Sequence, residues 1–300
     1  MPHHHSDPPI PPPSDAAWWL PLAWARRAFL HEDPEHQARQ ITDIASAAWP
    51  SGASVEVPLG ALAAVALLPL ADPDAPDLAQ SIAALRPDDL MIVLRGTWAE
   101  LWGTHPYLVE RAHLLYRWLA DVPPDTAESV TELVHLALRA GLLEFGADPD
   151  RRLATDLLGR LLQRLTSRAN KAGRGAFHTP SAVCDLISEI VGREQIIGEV
   201  AAGSGAMWRA EARLMRRDGL DPARFTWVGA EIDPLAVGVL AANAMLWRLG
   251  DDVLIACADS LAGDSGLAHA GHERHSATAH RDAVIRLLDP AGTDNPNDLA

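Results

Sequence analysis

Three acids stand where a carboxylate can hold a nucleoside: Glu199, Glu231 and Asp259. Each closes a short apolar run of the kind that forms a strand, and each runs into a turn or a helix start. Glu199 leads into Val200-Ala201-Ala202-Gly203-Ser204-Gly205, a glycine turn whose backbone can approach a ligand closely. Glu231, in Gly229-Ala230-Glu231-Ile232-Asp233, can accept the hydrogens of both ribose hydroxyls, the role of the ribose-binding acid in dinucleotide folds. Asp259, in Ala258-Asp259-Ser260-Leu261, can accept from an adenine amino group. Glu199 would orient the loop or meet an ammonium group. Asp233 reads as the cap of a helix starting at Pro234. The plain alternative for each acid is a solvated surface carboxylate. A dinucleotide fingerprint wants a third glycine three residues after the second, and Trp208 stands there. That argues against nicotinamide and flavin. S-adenosylmethionine has no pyrophosphate, so it needs no anion cradle; it needs close backbone approach and an acid for its ribose. It fits these landmarks better.

The elements that must position these groups follow from periodicity. Residues 181 to 261 alternate helix and strand: helix Ser181 to Val191, strand Ile196 to Val200, helix Ala206 to Arg217, strand Phe225 to Ala230, helix Pro234 to Leu249, strand Val253 to Ala258. Short connections in that order imply parallel strands. Before them the chain reads as mostly helical from Asp15 to about Gly146, including Ala61 to Leu68, Leu78 to Leu85, Leu108 to Leu119 and Val130 to Leu143. Asp150 to Ser167 reads as one amphipathic helix. The tryptophans of this region (Trp18, Trp19, Trp24, Trp98, Trp102) sit at helical spacing, which favours helix packing over base stacking. The fold expected is α/β, a partial Rossmann-like S-adenosylmethionine-dependent methyltransferase domain after an all-α N-terminal domain. The boundaries are a Pro/His-rich disordered tail at 1–14, helices at 15–150, the cofactor-binding domain at 151–262 and a degenerate or disordered tail at 263–300.

Composition narrows the partners. The chain has 300 residues, is 48% hydrophobic and carries a net charge of −15. Phosphate contacts supply most DNA affinity, so any DNA role needs a local basic strip or a partner. Arg160, Arg164, Arg168, Lys171 and Arg174 form such a strip, with a solvated helix end as the equal alternative. Two cysteines, Cys184 and Cys257, make no disulfide framework and suit a reducing cytoplasm. No apolar run is long enough to cross a bilayer, and no signal-peptide pattern opens the chain. His3-His4-His5 lacks a fixed metal geometry, and His269, His272, His275 and His280 have no cysteines nearby; no metal is expected.

Asp156-Leu157-Leu158-Gly159, Gly175-Ala176-Phe177-His178-Thr179-Pro180 and Glu199 through Gly205 together resemble the adenine-N6 DNA methyltransferases, specifically the modification subunits of type I restriction systems. His178 replaces a tyrosine of the family's G-x-F-Y-T-P motif; Glu199 and Val200 replace the Asp-Pro of its D-P-A-C-G-S-G. The resemblance covers about Arg151 to Leu261. It implies a protein that transfers a methyl group from S-adenosylmethionine to adenine N6 in DNA, or descends from ones that do. It also implies help from a specificity subunit or other protein partner. Cofactor contacts would fall on Phe177, His178, Thr179, Glu199, Gly203, Ser204, Gly205, Glu231 and Asp259, and DNA phosphate contacts on Arg164, Arg168, Lys171 and Arg174. The family's catalytic Asn/Asp-Pro-Pro-aromatic tetrapeptide does not occur in this sequence. The nearest candidates are Asp289, in Asp289-Pro290-Ala291-Gly292, and Asn295, in Asn295-Pro296-Asn297-Asp298. The alternatives are a non-catalytic interaction module with a relic cofactor fold and a small-molecule methyltransferase; the Gly175 motif argues against the last.

Overall fold

The computed structural model describes residues 32–50, 53–71, 78–169, 179–191, 194–263 and 265–288. From Pro34 to Ala169 every described element is helical: α1 Pro34–Ala48, α2 Glu56–Ala71, α3 Leu78–Ala83, α4 Pro87–Thr104, α5 Pro106–Arg111, α6 His113–Tyr116, α7 Pro124–Arg139, α8 Leu142–Ala147, α9 Pro149–Ala154 and α10 Leu157–Ala169. Helix α2 is apolar on all sides, the pattern of a helix enclosed by others, and Leu59 through Leu67 are buried. Glycines permit the enclosure. A Cβ on Gly60 would lie 1.5 Å from the Leu115 carbonyl oxygen, and one on Gly146 would lie 2.2 Å from that of Ala66.

Then come α11 Ser181–Val191, β1 Ile196–Glu199, α12 Ala206–Arg217, β2 Thr226–Glu231, α13 Pro234–Leu246, β3 Val253–Cys257 and α14 Ser265–Leu288. The three strands form one parallel sheet in the order β1-β2-β3. Glu199 pairs with Gly229, and Glu231 with Cys257, so the carboxyl ends of all three strands lie together. Helix α13 is apolar all round and fully buried from Ala236 to Leu246. It packs against β2 and β3 and against α2, α5, α6 and α10. One continuous apolar core therefore runs from the helices into the sheet.

Tyr107 of α5 closes the outer edge of β3. Its hydroxyl donates to the Ile255 carbonyl at 2.8 Å and accepts from the Ile255 N–H at 3.0 Å. Burial holds the phenol above its ordinary pKa, against the contact with Ile255, which lowers it.

Four expectations need correction. The stretch from 263 is not a formless tail over Ser265–Leu288, which is a 24-residue helix. Its small residues allow close approach to the sheet: Ala270 and Ala277 are buried, and a Cβ on Gly266 would lie 2.4 Å from that of Ala258. Arg111 also pairs with Glu273 on it at 2.5 Å. The single helix expected over Asp150 to Ser167 is two, broken at Thr155 and Asp156, because the Asp156 carboxylate caps the next helix by accepting from Gly159 N–H at 2.8 Å. Leu108 to Leu119 is likewise interrupted at Ala112 and tightens into a 3₁₀ turn over Arg117–Ala120. Val130 to Leu143 spans the end of α7 and the start of α8, separated at Gly141, whose φ of 81° only glycine adopts readily.

Candidate cofactor site at the strand ends

The turn after β1 has the left-handed backbone its glycines allow: φ is 53° at Gly203 and 91° at Gly205. A Cβ on Gly205 would also meet Leu240 Cδ1 at 2.5 Å. The turn is tied to β2 twice. Ala202 N–H donates to the Ala230 carbonyl at 2.9 Å, and Gly203 N–H donates to Glu231 Oε2 at 2.8 Å. The other Glu231 oxygen accepts from Asp233 N–H at 2.8 Å. Each carboxylate oxygen has a second lone pair, so the half-buried Glu231 keeps acceptor capacity. Asp233 caps α13 through Leu235 N–H at 2.9 Å, as the sequence suggests.

Asp156 fixes the turn from behind. It is fully buried; its Oδ1 accepts from Asn243 Nδ2 at 2.8 Å as well as from Gly159, and its Oδ2 accepts from Ser204 Oγ at 2.6 Å. Asn243 Nδ2 also donates to the Ser204 carbonyl at 2.9 Å. Burial raises the Asp156 pKa against these hydrogen bonds and the nearby Arg209 charge, which lower it. Arg209, buried on α12, bonds the Leu153 and Ala154 carbonyls and Asp185, joining α9, α11 and α12. Sequence reasoning quoted Asp156 without giving it a role and passed over Asn243 and Arg209. The available signal was a lone amide in the otherwise apolar helix Pro234–Leu246, where burial calls for a partner; its Nδ2 finds Asp156 and the Ser204 carbonyl, and its Oδ1 has none among the described residues.

Glu199 is the unusual group. Its Oε2 is buried with no hydrogen-bond partner among the described residues. Burial, and after it the neighbouring Glu231 carboxylate, push its pKa up to about 8. It lines a cavity of about 260 Å³ with Asp156, Thr179, Gly203, Ser204 and Met207. A half-buried carboxyl that lines a cavity suits a cationic ligand group.

Asp259 lies two residues beyond β3, beside the end of β2. It is exposed, and its Oδ1 accepts from Leu261 N–H at 2.9 Å, leaving Oδ2 free of any described partner. Two large apolar side chains stand open at this mouth, Ile232 at 67% and Leu261 at 95% exposure. Neither was singled out from sequence as a contact, although each follows an acid closely. Thr179 is exposed at the cavity rim. Phe177 and His178 lie outside the described residues, as do Lys171, Arg174, Asp289, Asn295 and the side chain of Arg168. Within the basic strip, Arg160 pairs with Glu35 and Arg164 with Asp43 at 3.2 Å, so acids of α1 meet both charges.

A larger groove of about 1070 Å³ lies elsewhere, between the start of α1 and the α11–α12 pair. Its walls are ion-paired: Arg213 with Asp185 and Arg217 with Glu189. Glu199 lines only the smaller cavity, at the end of β1, which makes that cavity the better candidate, although neither Glu231 nor Asp259 lines it. Among the described residues no group of three or more His, Cys, Asp or Glu is placed to hold a metal ion, and no helix is long and apolar enough to cross a membrane.

Residues 151–279 match the family model described as N-6 DNA methylase. The match begins in α9, takes in all three strands and runs into α14. No curated protein matches the chain.

Proposed function

We propose that this chain, whose residues 151–279 match the N-6 DNA methylase family model, binds S-adenosylmethionine at the carboxyl ends of its three strands in the service of adenine methylation in DNA. The observation that carries the reading is the Glu199–Glu231 pair across the glycine turn: Glu231 is anchored to the turn backbone, and Glu199 is half-buried with one oxygen unpaired among the described residues. Ligands of doubly wound sheets bind outside the carboxyl ends of the strands. Glu231 accepts the ribose hydroxyls there, and Asp259 accepts the purine amino group. Ile232 and Leu261 offer apolar surface beside the purine. Glu199 faces the ammonium of the methionine moiety and gives up its proton when that cation arrives. Bound, the cofactor supplies an electrophilic methyl group.

DNA must be held despite the net charge of −15. With Arg160 and Arg164 engaged by α1 acids, phosphate contacts fall to Arg168, Lys171 and Arg174 or to a partner such as a specificity subunit. The acceptor that must draw protons from adenine N6 falls to Asp289, to Asn295 or likewise to a partner.

Equilibrium binding of labelled S-adenosylmethionine to the full chain tests the reading. Binding is expected, and Glu231→Ala, checked for native circular dichroism, weakens it about 10- to 100-fold, the scale of hydrogen bonds to a charged group. A folded chain that retains no cofactor overturns the proposal.

A further inference from the structure

The cavity that Glu199 lines has a second wall, and that wall comes from the helices. Asp156, Arg160 and Gln163, before and along α10, line it together with Thr179 to Ser181 at the start of α11. Gly159 permits the approach. A Cβ there would run into Asp156 Oδ2 and Ser204 Oγ, so the first turn of α10 lies against the turn after β1. Arg160 and Gln163 are three residues apart and share a face of α10. Both are half-buried.

Arg160 is held from two sides. Its Nε donates to Thr155 Oγ1 at 2.8 Å, and its Nη2 donates to Glu35 of α1. A guanidinium carries more N–H donors than these contacts use, and no described group accepts from Nη1. Glu35 offsets part of the charge. In return it orients a long side chain in advance, so binding a ligand costs less rotamer freedom. Gln163 is engaged only through its backbone carbonyl, by Thr166; its side-chain amide has no described partner. The cavity thus carries a fixed base, an amide and, in Glu199, an acid with one oxygen unpaired among the described residues. Its volume of about 260 Å³ falls below the roughly 300–1,000 Å³ of sites that enclose a whole drug-sized ligand. It suits one end of a longer molecule, and an α-amino acid end carries the ammonium and carboxylate that an acid and a base complement.

We propose that Arg160 is a specificity-determining residue of the strand-end site: it takes the α-carboxylate of the ligand's amino-acid end, while Glu199 meets the ammonium. This rests on the reading of that site as the one for S-adenosylmethionine. Planar N–H donors match a carboxylate better than an ammonium would. The helical region before the sheet then takes part in ligand choice, selecting adenosyl compounds with an intact amino-acid end over decarboxylated or truncated ones. The same assignment takes Arg160 out of the basic strip as a phosphate contact.

Equilibrium binding of S-adenosylmethionine and of its decarboxylated form to the full chain tests this, because the two differ only in the carboxylate. The wild type prefers the first at least about tenfold, the scale of a hydrogen bond to a charged group. Arg160→Gln removes most of that preference by weakening S-adenosylmethionine, and leaves the decarboxylated form within about threefold of its wild-type affinity. Should that variant not fold, Arg160→Lys carries the same test and cuts the preference at least about threefold. 5′-Methylthioadenosine, which lacks the amino-acid end, is the control: Glu231→Ala weakens it and Arg160→Gln does not. Equal wild-type affinity for the two sulfonium compounds overturns the proposal. So does an Arg160→Gln that weakens both by one factor, the mark of a residue that only supports the fold. In either case methylthioadenosine binding that depends on Glu231 keeps the strand-end site standing. A folded wild type that binds none of the three ends both readings.

Discussion

At the β3 edge the Tyr107 hydroxyl meets both backbone groups of Ile255, whereas at the β1 edge Ile196, Gly198 and Val200 meet no described group. The side chains differ in the same sense: Ile255 is fully buried and Ile196 is 59% exposed. The difference teaches what the helices before the sheet are for. They do not form a separate body; they supply the partner that one edge requires and share their core with α13. The contacts at the β3 edge are therefore long-range in sequence, and at the β1 edge no such contact occurs among the described residues. The candidate cavity lies toward the β1 side, since Glu199 ends β1 itself.

Charge placed at each edge sharpens the comparison most. Ile255→Lys buries an unpaired ammonium and is expected to cost about 4 kcal/mol or more in urea unfolding, whereas Ile196→Lys costs within about 0.5 kcal/mol. Equal costs would mean that the β1 edge is covered. Next in size is a pH effect at the end of β1. The Glu199 pKa rises from 4.5 in the unfolded chain to about 8 when folded. Its stabilising contribution is whole below about pH 4.5 and is lost as pH climbs to about 8, a fall on the order of 3 kcal/mol after discounting partial exposure. Glu199→Gln should flatten that fall in thermal melts taken across the window; an unchanged slope would place the titration elsewhere. The smallest effect belongs to Tyr107→Phe, which leaves both Ile255 groups without a partner and should cost about 2 kcal/mol. Its signature is faster exchange at the Ile255 amide, with β1 exchange unaltered.

The strands and their connecting helices were legible because each is short, apolar and punctuated: Pro234 opens one helix behind Asp233, and glycines bound the turn before another. Helix Ala206–Arg217 matches its sequence limits, and Glu231 and Asp259 fall at adjacent strand ends as periodicity suggests. Three things were not legible. Asp156 breaks an apparently continuous amphipathic stripe because its carboxylate is needed by Ser204 and Asn243, 48 and 87 residues away. Helix Ser265–Leu288 hides behind a polar composition because it needs only small residues on its inner side. Tyr107 answers Ile255 across 148 residues, a distance at which no local pattern speaks.

The central claim concerns where the cofactor sits, and photo-crosslinking of labelled S-adenosylmethionine to the full chain, followed by peptide mapping, asks that directly. The account predicts label in peptides covering Glu199 to Met207, Glu231 to Asp233 and Asp259 to Leu261, competed away by unlabelled cofactor. Label confined to the larger groove, at Glu32 to Glu35 or Arg213 to Arg217, would contradict it.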